Sequence, residues 1–159
     1  MTSNRAVVFN HFGHCVTDLR RAVRFYTELF GFEEQRRIKV PDAPDDRMLR
    51  IEAPLGASAV YLVRDAVVLE LLHFDRKGNP PFRPRALNEP GLTHMSFCVP
   101  DVGQAAEGAE ALGGEALPDT DIGHGMFIRD PDGQLIELLP MSYRAAIESD
   151  SAAADSAQT

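Results

Sequence analysis

The sequence predicts an α+β protein built from two copies of one β-α-β-β-β unit. Three observations lead there. His11, Cys15, Val16, Asp18, Ala22, Leu29 and Gly31 recur as His94, Cys98, Val99, Asp101, Ala105, Leu112 and Gly114, each 83 positions on. The run Asp65 to Leu72 parallels Asp132 to Leu139 at an offset of 67. Each copy also passes from a strand-like run to a helical period and back to strand-like runs. The fall from 83 to 67 means that the first copy carries about 16 extra residues. The boundaries read as a first module at 5–74, a linker at 75–91, a second module at 92–143 and a weakly structured tail at 144–159.

Each element has a local reason. Residues 7–16 are rich in Val, Phe and other strand formers, with Gly13 interrupting them. Thr17 or Asp18 is placed to cap a helix whose apolar residues, Leu19, Ala22, Val23, Tyr26, Leu29 and Phe30, recur at helical spacing. Gly31 is placed to end it. Glu33 to Val40 reads as an exposed strand and 42–46, between Pro41 and the residues after Pro44, as a loop. Met48 to Ala53, Ala59 to Val63 and Val67 to Phe74 read as strands. The linker is rich in Pro and Gly.

The unit then restarts. Leu92 to Val99 is a strand, Asp101 a cap and Val102 to Leu112 a helix that Gly113-Gly114 stops. Glu115 to Pro118, Gly125 to Arg129 and Gln134 to Leu139 are strands. Asp130-Pro131-Asp132-Gly133 is the tight turn between the last two. The tail after Tyr143 is Ala, Ser and Asp, with one helical turn near Ala145.

Bulk properties narrow the function. At 159 residues, each half is a marginal folder alone, so the halves depend on one another. A net charge of −8 argues against nucleic acid or an anionic membrane surface as partner. No apolar run reaches membrane-spanning length, and Met1 to Asn10 shows no signal-peptide pattern. Two cysteines make no disulfide framework, so a reducing cytoplasm is the default location.

Strand alternation selects the chemistry. His11, Gly13 and Cys15 share one face, as do His94, Ser96 and Cys98. Phe12, His14 and Val16 face the helix instead, which makes His14 a core histidine. Glu70 and Glu137 sit mid-strand in apolar runs, where a carboxylate needs a partner. Two His and two Glu, one of each per copy, form a ligand set for one divalent ion: Zn, Ni, Co, Mn or Fe. His73 falls opposite Glu70 and reads as structural. His124, in Gly123-His124-Gly125, falls on a turn or strand start and is a weak candidate to touch a substrate. Cys15 and Cys98 read as lining. Arg36, Arg37 and Lys39 offer cations to an anionic substrate or simply solvate an edge strand.

Three segments, His11 to Leu19, Phe25 to Phe32 and Asp130 to Leu138, together resemble the vicinal oxygen chelate superfamily. Glyoxalase I, methylmalonyl-CoA epimerase, extradiol dioxygenases and the fosfomycin and bleomycin resistance proteins belong to it. The resemblance covers about residues 7–140. It implies two βαβββ modules whose curved mixed sheets surround a metal-binding cleft. His11, Glu70, His94 and Glu137 match the family's ligand positions and resemble the set of bacterial glyoxalase I. The resemblance also implies a homodimer and a small-molecule substrate.

The reaction implied is that of an isomerase, lyase or epimerase. A proton leaves the carbon beside a carbonyl, with Glu70 or Glu137 as the base. The stretch Glu70 to Pro80 is similar to methylmalonyl-CoA epimerases, whose second acid would be Glu33, Glu34 or Asp42. One alternative is an Fe²⁺ extradiol dioxygenase using His11, His94 and Glu137. Another is a metal-free drug-binding protein.

Overall fold

The computed structural model describes residues 7–75, 78–80 and 82–145. The chain divides into two compact units, residues 1–81 and 82–159. Of the expected linker, residues 76, 77 and 81 lie outside the described part, as do residues 146–159 of the expected tail. Residues 141–145 are helical and exposed.

The first unit runs β1 (Phe12–Cys15), α1 (Leu19–Phe30), β2 (Glu33–Lys39), α2 (Asp45–Leu49), β3 (Ala57–Arg64) and β4 (Val67–Phe74). Its four strands are ordered β1-β4-β3-β2. β1 runs parallel to β4 and the other pairings are antiparallel, so the sheet is mixed. β4 alternates as expected of a strand with one covered face. Leu69 and Leu71 are buried, while Glu70 and Leu72 point to the other face. The covered face packs under α1, whose Ala22, Phe25, Tyr26 and Phe30 are buried.

Both ends of α1 are set locally. The Asp18 carboxylate accepts from the Arg20 and Arg21 amides at 2.9 and 3.0 Å. These bonds, led by that from Arg21, hold its carboxyl below the usual value. Gly31 takes a left-handed φ of 65°, and the amides of Gly31 and Phe32 close back on Thr27 and Tyr26.

The second unit repeats the order: β5 (Met95–Val99), α3 (Val102–Ala111), β6 (Glu115–Leu117), β7 (Met126–Arg129) and β8 (Leu135–Pro140), with a 3₁₀ turn at Pro118–Thr120. Its sheet is ordered β5-β8-β7-β6, again with the parallel pair at one edge. Ile136 and Leu138 are buried and Glu137 and Leu139 face the other way. α3 buries only Ala106 and Ala109, so a small-residue helix lies where α1 is aromatic. Asp101 caps α3 through the Gln104 amide at 2.9 Å.

Four sequence expectations change, among them the loop at 42–46, which the helix enters at Asp45, and the strand from Leu92, which begins at Met95. Met48 to Ala53 is not a strand: α2 occupies residues 45–49, with Asp45 and Asp46 in its first turn and Arg50 left-handed at its end. An acidic first turn suits a helix N-terminus, and this outweighs the strand-like composition of Met-Leu-Arg-Ile. The extra residues of the first copy thus form a helical excursion between β2 and β3. Leu49, Ile51 and Leu55 of that excursion pack on Ala57, Leu72 and Phe74. The first strand also starts later than expected, at Phe12 rather than residue 7. Val7, Val8 and Phe9 are exposed before it.

Candidate active site

The parallel pairing of β1 with β4 places Gly13 opposite Glu70, and that of β5 with β8 places Ser96 opposite Glu137. On the other side, Tyr61 of β3 lies opposite Glu70 and Phe127 of β7 opposite Glu137. Each glutamate thus sits on the uncovered face of a central strand, between two flanking residues. Each histidine stands one residue before its edge strand, His11 before β1 and His94 before β5. His11 Nε2 lies 3.2 Å from Glu70 Oε2, and His94 Nε2 lies 3.8 Å from Glu137 Oε2. His11 meets the edge of Tyr61 with ring centroids 5.7 Å apart, and His94 meets that of Phe127 at 5.4 Å.

Among the described residues, neither carboxylate is paired with a lysine or arginine. Glu70 Oε1 accepts a very short hydrogen bond from the Tyr61 hydroxyl. That bond, then burial and the charge of Glu70, push the Tyr61 phenol up to about 12, so it remains a donor at neutral pH. Glu137 Oε2 accepts from the Ser96 hydroxyl at 2.6 Å. The histidines differ at their second nitrogen. His94 Nδ1 lies 2.9 Å from Thr93 Oγ1, whereas His11 Nδ1 is buried without a partner.

This donor set suits a divalent ion. In each unit, an imidazole nitrogen beside a carboxylate is the kind of donor pair that Zn²⁺ and its first-row neighbours take. Each couple brings an Nε2 and a carboxylate oxygen together, and among the described residues a neutral hydroxyl steadies each glutamate. Among the described residues, no third His, Cys, Asp or Glu joins the pair within either unit.

Several other sequence candidates have partners elsewhere in the fold. His14 meets Tyr26 of α1 edge-on, with centroids 6.2 Å apart, as its helix-facing position requires. His73 Nδ1 lies 3.1 Å from the Val16 carbonyl oxygen. Asn79 Nδ2 donates to Cys15 Sγ at 2.8 Å. His124 is exposed. Arg37 is paired with Glu34 through two bonds, at 3.0 and 2.8 Å, and Lys39 donates to Ser58 at 3.0 Å. Asp42 accepts from the Leu55 amide at 2.8 Å and closes the inserted loop. Tyr61 is the residue that the sequence reading missed. Its signal was a hydroxyl on the strand beside the glutamate, and seeing it required the strand register.

Repeated βαβββ units, each with a His–Glu couple on the open face of its sheet, define a class of small two-module proteins. A family model for the Glyoxalase/Bleomycin resistance protein/Dioxygenase superfamily matches residues 8–138, and the chain belongs to that superfamily. It is 30% identical to a lactoylglutathione lyase of Pseudomonas putida, over 83% of this chain and 84% of the relative. It is 29% identical to one of Pseudomonas aeruginosa, over 85% and 83%. The solved structure of Leishmania major glyoxalase I shares the fold. Its TM-score is 0.65 at 23% identity, covering 92% of this chain and 96% of that one.

Proposed function

We propose that this protein is a metal-dependent lyase of the glyoxalase I kind, acting on the hemithioacetal of a 2-oxoaldehyde and a small thiol. The observation that carries the reading is the repeated His–Glu couple, Nε2 to carboxylate, in both units. The lactoylglutathione lyases of the two pseudomonads support the substrate class. His11, Glu70, His94 and Glu137 would hold one divalent ion, the two couples coming together within one chain or across a homodimer. When bound, that ion supplies Lewis acidity that stabilises negative charge on a substrate oxygen.

The rest falls to the chain's own groups. A glutamate takes the proton from the carbon bearing the thiol and returns it to the neighbouring carbon. The adduct thereby becomes a 2-hydroxyacyl thioester with no outside oxidant. Glu137 is better placed as base than Glu70. Among the described residues its Oε1 has no hydrogen-bond partner, and its side chain is 30% exposed against 12% for Glu70. Of the three acids open to the epimerase reading, Glu34 and Asp42 are engaged with Arg37 and Leu55, which leaves the exposed Glu33. A cytoplasmic location and a soluble small-molecule substrate accord with the composition. Among the described residues no helix is long and apolar enough to cross a membrane.

The test uses Zn²⁺- or Ni²⁺-loaded protein with the methylglyoxal–glutathione hemithioacetal. Thioester formation is expected. Glu137→Gln should lower turnover by about 10²- to 10⁴-fold while the ion stays bound, since an amide can ligate but cannot take the proton. A protein that binds neither ion and makes no thioester refutes the reading and leaves a binding protein. Ring cleavage of catechols by the Fe²⁺-loaded protein, with no thioester formed, promotes the dioxygenase.

A further inference from the structure

The two glutamates occupy matching places but are held differently. Glu70 has both oxygens engaged, Oε1 by the Tyr61 hydroxyl and Oε2 by His11. Glu137 has one oxygen engaged: Oε2 takes the Ser96 hydroxyl and faces His94. The supporting hydroxyl has moved from one flanking strand to the other. Where the first module has Tyr61, the second has Phe127, with the same register and the same edge-on contact to its histidine. Where the second has Ser96, the first has Gly13, and a Cβ there would lie 3.7 Å from Glu70 Oε2.

A hydroxyl donated to a carboxylate is a charge-assisted bond of the stronger kind. A carboxylate held at both oxygens keeps one orientation. One held at a single oxygen can turn about its own bond and present the other. We propose that the Tyr61 hydroxyl is a positioning group that pins Glu70 as a ligand, and that Phe127, lacking that hydroxyl, leaves Glu137 Oε1 free to move as the base. The Tyr/Phe difference between equivalent strands thus divides the labour between two otherwise matching couples. This inference rests on the metal-dependent lyase reading above.

The test is a pair of one-oxygen changes, Tyr61→Phe and Phe127→Tyr, in the full-length protein. Both keep the ring that packs on the histidine, so a purely structural role predicts little change in either. Two quantities are read: Zn²⁺ affinity of the apoprotein by competition with a chelator, and kcat and KM on the hemithioacetal. Tyr61→Phe should weaken Zn²⁺ binding by about 10- to 100-fold, the usual effect of losing a group that orients a ligand. Phe127→Tyr should leave Zn²⁺ affinity equal or tighter and lower kcat at least about 10-fold, with KM little changed, because Glu137 gains the second anchor. If the wild type binds Zn²⁺ and turns over, and both variants match it, the assignment is overturned while the lyase reading stands. If the wild type binds neither Zn²⁺ nor Ni²⁺ and makes no thioester, the lyase reading falls and the assignment with it.

Discussion

The first module surrounds its glutamate with a tyrosine, a glycine and a histidine whose Nδ1 is orphaned; the second uses a phenylalanine, a serine and a histidine braced by Thr93. Their frameworks differ in the same uneven way. Phe25, Tyr26 and Phe30 fill the space between α1 and its sheet, whereas α3 contributes Ala106 and Ala109. The β3–β4 turn is two residues long, at Asp65 and Ala66, while Asp130 organises a longer one. Its carboxylate accepts from the Asp132 and Gln134 amides at 2.9 and 2.8 Å. Duplication kept the strand order and the metal-type donors, and the residues around them diverged. Topology therefore fixes where the couples stand, and the neighbouring strands set how each glutamate is held.

The largest structural contrast lies in the cores. Phe25→Ala should cost about 3–5 kcal/mol in chemical denaturation, because a fully buried ring leaves a cavity under α1. No single truncation on α3 can match it, since its buried residues are already alanine. An equal loss on Ala109→Gly would break the contrast.

The helix caps come next. Asp18→Ala should cost about 1 kcal/mol. The folded-state pKa of Asp18 is depressed, so its contribution is complete above the unfolded value near 4 and is lost as pH falls through the lower folded value. The wild-type advantage over Asp18→Ala should therefore shrink in acid, a trend that denaturant midpoints measured between about pH 5 and 2 would follow. A pH-independent difference would assign the loss to something other than the charged cap.

The smallest effects belong to the turns. Ala66 holds a φ of 64°, and Ala66→Gly should stabilise the fold by up to about 1 kcal/mol. Gly133→Ala should go the other way. Its φ is 92°, and a Cβ there would lie 2.8 Å from the Phe82 ring. Thermal midpoints moving in the same direction for both would contradict the reading of these turns.

Much of this was legible in the sequence, for identifiable reasons. The caps at Asp18 and Asp101, the stop at Gly31 and the alternation around Glu70 and Glu137 are local patterns, and the structure places each as the pattern predicts. The helical excursion at Asp45–Leu49 was not legible, because five residues are too few to show a period. Tyr61 was hidden for a different reason. The closing strands repeat at an offset of 67, which would match Tyr61 to Ile128, but the longer turn around Asp130 shifts the pairing so that Phe127 faces Glu137. One residue of turn length reverses which face a strand residue takes, and only the register reveals it.

The central claim is that two half-sites serve one ion. Metal stoichiometry of the purified protein and of its His11→Ala and His94→Ala variants tests it most directly, with His14→Ala as the control. One divalent ion per chain is expected in the wild type and in His14→Ala, with sharp loss of that same ion in either of the other two variants. Two ions per chain, each lost only with its own module's histidine, would contradict it.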